Sequence, residues 1–256
     1  MSLRLAVLQS PGALDGVDAR LDWLETQLAR LRADLVLLPE LFACGYNISG
    51  LLRDRAEPRD GPAATRIAAL ARAHGIAICY GYAEAGAAAL YNAAQCFGPD
   101  GAVLAHQRKL AIPPGFERDV FTPGAACTLF DLAGLRLAIL ICYDAEFPET
   151  VRHVAAQRAQ LVLVPTALGA DWGWVADSMI PVRAYENGVW LAYANHAGAE
   201  NGLTYLGRSV IAAPGGVEAA RAGDGPQPIT ATITADAVEA AQARLPYLSD
   251  RSRLKL

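Results

Sequence analysis

The sequence contains no run of about 18 apolar residues, so no helix able to cross a bilayer is expected from it. It lacks an excess of positive charge: 22 basic residues stand against 26 acidic ones, net −4, which argues against nucleic acid as a partner. Its five cysteines, Cys44, Cys79, Cys96, Cys127 and Cys142, include no Cys-x-x-Cys pair and are odd in number and widely spaced. A disulfide framework and a structural zinc site are therefore not expected. Nor do the four histidines, His74, His106, His153 and His196, offer a pair at zinc-ligand spacing, so no metal is expected. The first residues, Met1–Gln9, lack a small-residue cleavage site and have strand character rather than that of a signal peptide. The cytoplasm, where thiols stay reduced, is the expected compartment. No repeat of 20–50 residues and no linker interrupts the chain, which favours one domain over residues 1–244 followed by a basic tail, 245–256, that is either mobile or used in assembly.

What is present is a chain of 256 residues, 53% hydrophobic, long enough to bury a sizeable core. Strand-like and helix-like patterns alternate along it. Leu3–Leu8 predicts a strand, Asp18–Arg32 a helix with Leu21, Leu24, Leu28 and Leu31 on one stripe, and Asp34–Leu38 a second, wholly apolar strand. Strand, helix, strand in this order favours a parallel pair with a crossover helix. Pro62–His74 predicts a helix that opens on proline, followed by strands Ile76–Tyr82, Leu90–Phe97 and Val103–Leu110, the last two joined by the Pro99-Asp100-Gly101 turn. The segment Ala111–Gly124, with three prolines and two glycines, predicts irregular structure. Beyond it come strands Cys127–Asp131, Leu135–Cys142, Leu161–Pro165, Val189–Asn195, Leu206–Ala212, Val217–Ala222 and Ile229–Thr234. Helices are expected at Pro148–Gln157, Val175–Asn187 and Ala235–Ala243.

Three polar residues fall where apolar strands end: Glu40, Lys109 and Cys142. A thiol at the carboxyl edge of a strand stands where open α/β folds bind ligands, although a free cysteine is more often a small buried hydrophobe. Taken singly, the glutamate and the lysine would be solvated loop and surface residues. Together they form a usable set. A thiolate is the nucleophile, yet little of an ordinary thiol is ionised at neutral pH. A carboxylate beside the sulfur can take its proton during attack, and an ammonium can favour the thiolate and stabilise the oxyanion formed from a carbonyl. The backbone N–H of Tyr143, directly after the nucleophile, is a second candidate oxyanion donor.

These residues sit in blocks that resemble the nitrilase superfamily of carbon–nitrogen hydrolases. The blocks are Leu38-Pro39-Glu40-Leu41-Phe42 with Gly45-Tyr46, Arg108-Lys109-Leu110, Cys142-Tyr143-Asp144-Ala145-Glu146-Phe147-Pro148-Glu149, Val164-Pro165-Thr166, Arg183-Ala184-Tyr185-Glu186-Asn187 and Ala194-Asn195. The resemblance implies an α/β fold, a four-layer α-β-β-α sandwich of two mixed sheets, with a homodimer or larger homo-oligomer. It implies catalysis by Glu40, Lys109 and Cys142 with neither metal nor organic cofactor. It also implies a second glutamate, matched by Glu117, whose alternative is a surface residue paired with Arg118. Tyr46, Tyr143, Thr166 and Trp172 are the candidate substrate-contacting residues, Trp172 lying in a loop that the family places over the site. Glu146 and Glu149 are expected to pair with bases such as Arg152, and Glu186 to tie its helix to its neighbours. His196 leaves a Cys-His dyad conceivable. The implied activity is hydrolysis of a small carboxamide through a cysteine thioester. The alternatives are N-carbamoyl hydrolysis, nitrile hydrolysis and acyl transfer. Tyr143-Asp144, where nitrile-cleaving members commonly carry tryptophan and glutamate, favours the amidase branch.

Overall fold

A computed structural model describes residues 1–255, apart from the side chain of Ser49, and shows two mixed sheets packed face to face between outer helices. The first half builds one sheet. β1 (Ser2–Pro11) leads through α1 (Gly16–Leu28) to β2 (Leu35–Leu37), and α2 (Pro62–His74) leads to β3 (Ala77–Ala85). These three strands run parallel, as the strand–helix–strand order requires, and β4 (Leu90–Phe97) and β5 (Val103–Arg108) then fold back as antiparallel hairpins. A short helix α3 (Phe116–Val120) occupies the segment whose prolines suggested irregular chain.

The second half builds the other sheet from β6 (Thr128–Leu132), β7 (Leu135–Ile139), α4 (Pro148–Ala156), β8 (Leu161–Pro165), α5 (Ile180–Asn187) and β9 (Trp190–Ala194). Strands β7, β8 and β9 are parallel. A wide π-turn over Val175–Met179 precedes α5 and leads into Pro181, whose ring removes one backbone donor. After β9 come β10 (His196–Ala197), the small hairpin β11 (Ala199–Glu200) and β12 (Leu203–Thr204), then β13 (Val210–Ala212) and β14 (Glu218–Arg221). The expected strand from Leu206 is thus confined to Val210–Ala212. Finally β15 (Gln227–Thr234) returns to pair antiparallel with β1, completing a seven-stranded sheet that faces the six-stranded one.

Period-two alternation sorts the side chains into layers. Leu3, Leu5, Val7, Leu35 and Leu37 face inward onto Leu137, Ile139, Leu161, Leu163 and Ala192 of the other sheet, and Cys142 lies within this inner layer. The alternate residues Ala6, Leu8, Val36 and Ile78 face Leu21, Leu24, Leu28 and Ile67 of α1 and α2. On the far side Ala138, Val162, Leu191 and Tyr193 face Val151 and Val154 of α4 and Ala184 of α5. Each wholly buried leucine or isoleucine in these layers contributes about 1.5–3 kcal/mol. The continuous apolar runs of β2 and β8 follow directly, since both faces of these strands are covered.

The tail is not free chain. α6 (Ala235–Arg244) is followed by α7 (Tyr247–Asp250), whose Tyr247 ring lies 6.2 Å from that of Tyr185 on α5, with Leu248 packed against the outer layer. At the start of the expected tail, Tyr247 and Leu248 thus lie against the body of the sandwich, while residues 251–255 are exposed. No helix is long and apolar enough to cross a membrane among the described residues.

Candidate active site

The carboxyl ends of β2, β5, β7 and β8 meet at one edge of the sandwich and carry the candidate residues. Past β2 the chain turns sharply through Pro39 and Glu40 into Leu41, whose φ is +50°. The Glu40 N–H donates to the carbonyl of Thr166, just past β8, at 3.3 Å, tying the two sheets together at this edge. Lys109 follows β5 directly, and its N–H donates to the Asn92 carbonyl of β4 at 2.8 Å. Cys142 opens a 3-10 turn, Cys142–Glu146, with φ +46°. A left-handed cysteine at the start of a tight turn is a strained position of the kind found at functional sites.

Five side chains, three of them charged, form a hydrogen-bonded cluster. The Lys109 ammonium, 0% exposed, donates to Glu40 Oε1 at 2.6 Å and to Glu117 Oε1 and Oε2 at 2.9 and 2.8 Å. Asn92 Nδ2 donates to both glutamates as well, to Glu40 Oε1 at 2.7 Å and Glu117 Oε2 at 3.0 Å. The Tyr46 hydroxyl donates to Glu117 Oε1 at 2.8 Å. Glu117 is therefore buried in the cluster and not paired with Arg118, which instead donates to the Ile112 carbonyl. Within the cluster, Glu40 Oε2 and Asn92 Oδ1 are buried with no hydrogen-bond partner among the described residues.

Burial pushes the Glu40 carboxyl up to about 7, against the pull of the Lys109 ammonium and with the repulsion of Glu117. Burial also raises the Cys142 thiol, as does the Glu40 charge, while Lys109 and the Thr166 hydroxyl oppose the rise. For Lys109, burial works against the charged form, but the charges of Glu40, Cys142 and Glu117 outweigh it and raise its pKa. The resting cluster thus holds a neutral thiol beside a carboxylate that titrates near neutrality.

Of the other candidates, Thr166 stands beside the Cys142 sulfur, and its hydroxyl donates to that of buried Tyr193 at 2.9 Å. The Tyr143 ring packs edge-on against Phe147, the ring centroids 4.9 Å apart. Trp172 is not brought into the cluster. It sits on the outer turn Ala170–Trp172 with 64% of its surface exposed. His196 does not form a dyad with Cys142 either. Its Nε2–H donates to the Glu40 carbonyl at 2.8 Å and its Nδ1 accepts from the Ser10 hydroxyl at 3.0 Å. Burial lowers its pKa to about 4, leaving a neutral ring that pins the Glu40 backbone. Arg152 of α4 pairs with Glu186 of α5 at 3.5 Å rather than with Glu146 or Glu149, and this pair joins the two helices; within α5 Glu186 also accepts from Arg183 at 3.1 Å.

Sequence reasoning missed Asn92 and the role of Asp144. A strand rarely carries asparagine, and this was the signal that Asn92 offered. The Asp144 carboxylate accepts from the N–H of Leu110 and Ala111 at 3.0 and 2.8 Å and of Ile141 at 3.0 Å, so it fastens the lysine segment to the cysteine turn. A second anchor lies on β5. Buried Glu84 accepts from Arg108 and bonds His106, and Arg108 stacks 3.6 Å over the Tyr91 ring. Burial would raise the Glu84 carboxyl, but these hydrogen bonds and charges overcome it and lower it from 4.5 to about 2. A depressed carboxyl stabilises the fold above its unfolded value and ceases to do so as pH falls through its folded one. The melting-temperature deficit of Glu84→Gln is therefore expected to be full at pH 7 and to shrink between about pH 4.5 and 2. A deficit independent of pH would refute the ion-pair account.

A model of the carbon-nitrogen hydrolase family matches residues 4–243. The chain belongs to that family. Among curated relatives of this carbon-nitrogen hydrolase, a hydrolase in the pqqF 5' region of Pseudomonas protegens is 40% identical over 98% of this chain and 89% of that protein. An (R)-stereoselective amidase from a Pseudomonas species is 32% identical over 85% of this chain and 79% of that protein. Among solved structures, an amidase from Nesterenkonia sp. superposes with a TM-score of 0.86 at 35% identity, covering 98% of this chain and 96% of that one. In one form of that amidase, acrylamide is added at the active-site cysteine. The carbon-nitrogen hydrolase described here is a nitrilase-superfamily member of the amidase-like branch, with the four-layer sandwich that its sequence implied.

Proposed function

We propose that this enzyme hydrolyses a small carboxamide to a carboxylate and ammonia through a thioester on Cys142. The observation that carries the reading is the division of labour on Glu40. One oxygen is tied by Lys109 and Asn92, while Oε2 is buried without a partner and free to receive the thiol proton. In the first half-reaction the sulfur attacks the amide carbon as its proton passes to Glu40. The Lys109 ammonium and the Tyr143 N–H hold the oxyanion. The tetrahedral intermediate collapses as Glu40 hands the proton to the departing nitrogen, and ammonia leaves. In the second, Glu40 takes a proton from water, hydroxide adds to the thioester, and on collapse Glu40 returns its proton to the sulfur while the acid leaves and ionises to the carboxylate. Glu117 balances the lysine charge and fixes where that ammonium points. The acrylamide adduct on the Nesterenkonia amidase's cysteine supports a cysteine as nucleophile here.

Charge near the nucleophile narrows the substrate. Glu146 closes the cysteine turn, half-buried and with no ion-pair partner among the described residues, while Arg183 is committed to the Glu146 carbonyl and to Glu186. A substrate carboxylate would meet the Glu146 charge, with both terminal nitrogens of Arg183 already bound, so neutral or amine-bearing amides are the expected class. An ammonia-release screen over neutral, amine-bearing and carboxylate-bearing amides, N-carbamoyl amines and nitriles tests this, with mass spectrometry of the Cys142 peptide during turnover. Amides should turn over with an acyl adduct on Cys142. Because burial places the Glu40 carboxyl at about 7, kcat/KM should fall toward tenfold per unit as pH drops below that value. Ammonia from ureides or nitriles alone, or turnover without the adduct, would overturn the reading.

A further inference from the structure

The side chain of Arg20 is the largest of those fully buried, and it lies on α1, away from the reacting groups. It pairs with buried Glu200 of β11 at 2.7 Å and donates to the Gly12 carbonyl at 2.9 Å. A buried pair of this kind is weak evidence for stability, since desolvation offsets most of the attraction. What it holds is more telling. Four donors converge on the Glu200 carboxylate: Arg20, the N–H groups of Tyr46 and Asn47 at 3.1 and 2.6 Å, and the Tyr205 hydroxyl.

The loop pinned in this way is the one that carries Tyr46 to Glu117. Asn47 and Asn201 clasp it further: Asn47 Nδ2 donates to the carbonyls of Glu200 and Asn201 at 3.1 and 3.2 Å, and Asn201 Nδ2 donates to the Asn47 carbonyl at 2.8 Å. Gly45 makes the approach possible. Its φ is +97°, and a Cβ there would stand 2.8 Å from Glu200 Oε1 and 2.6 Å from Ile48 Cγ2. On its other side Glu200 holds Tyr205, whose ring lies 4.9 Å from that of His196, the donor to the Glu40 carbonyl.

We propose that Glu200 is a positioning residue of the hydrolytic site, setting Glu117 through Tyr46 and bracing Glu40 through Tyr205 and His196. The proposal rests on the assignment of Glu40, Lys109, Glu117 and Cys142 as the reacting cluster. The test is a double-mutant cycle on kcat, with active sites counted by iodoacetamide titration of Cys142. Glu200→Gln keeps an acceptor for the loop N–H groups but loses the charge that fixes them, and Tyr46→Phe removes the hydroxyl at the far end. Each should lower kcat roughly tenfold, and the double variant should lose well under the about hundredfold of independent effects, because the part of Glu200 that acts through Tyr46 is already gone in Tyr46→Phe. A merely structural role would lower melting temperature and titratable sites while leaving the kcat losses multiplicative. Asn47→Ala, which loosens the clasp but leaves the ion pair, runs the same cycle if Glu200→Gln does not fold. Wild-type kcat in the Glu200 or Asn47 variant, or multiplicative losses in the double variant, would overturn the assignment. The cycle is run on whichever substrate releases ammonia fastest, so an unexpected substrate class would sink the carboxamide reading without touching this one.

Discussion

Lys109→Arg is expected to lose at least about 10²–10³ in kcat although it keeps the positive charge, the scale on which removing a single oxyanion donor acts. Lys109 Nζ has no exposed surface and contacts three carboxylate oxygens within 2.6–2.9 Å. A compact ammonium fits that space and still reaches toward the sulfur. A guanidinium is broad and planar, and its fork would engage Glu117 or Glu40 side by side, aiming away from the oxyanion. The fold should tolerate the change better than catalysis does, because the charge balance of the cluster survives. Steady-state kinetics with alkylation of Cys142 as the count of intact sites makes the measurement. If Lys109→Arg kept most of its kcat, the lysine would be only a background charge and the proposed oxyanion role would fail.

The second large effect is expected at a residue that touches no substrate. Gly81, on β3, lies under the turn that presents Glu40. Its N–H donates to the Pro39 carbonyl at 3.2 Å and its own carbonyl accepts from Ala43 at 3.0 Å. A Cβ at Gly81 would fall 2.6 Å from the Pro39 oxygen and 2.8 Å from Glu40 Cα, and would also strike the Leu41 nitrogen. All three are backbone atoms, so no side chain can swing aside, and the Glu40 turn must move. Displacement of a catalytic group by about 1 Å can cost ~10² in rate, and that is the loss expected for Gly81→Ala in kcat per titrated site. Gly215→Ala, with nothing within 4 Å of its Cβ, is the control and should behave as wild type. Wild-type turnover in Gly81→Ala would show that the Glu40 turn is held by something other than this contact.

Much of the site was legible in the sequence because its residues stand at strand ends, where an apolar run stops on a polar group. Glu40, Lys109 and Cys142 carry that signal in their own neighbourhoods, and Glu117 is legible through its block. Trp172 illustrates the opposite case. A tryptophan after the Val164-Pro165-Thr166 block suggests a pocket wall, but nothing local decides which way a short surface turn faces, and here the ring points to solvent. Asn92 and Asp144 were hidden for another reason: beyond an asparagine in a strand no local pattern marks them, since their bonds to Glu40, Glu117, Leu110 and Ala111 span more than 20 positions.

The sequence by itself determined the alternation of strands and helices, the inward and outward faces of the sandwich, and the candidate thiol, base and cation. These depend on side-chain period and on residue chemistry, which the chain displays directly. Tertiary structure alone decided that Glu40 has one tied and one free oxygen, that His196 holds a backbone carbonyl instead of a thiol, and that Arg20 and Glu200 meet across 180 positions to fix the Tyr46 loop. Hydrogen-bond partnership and desolvation depend on which segments the fold brings within about 3 Å of each other, and that distance is set by packing of the whole sandwich.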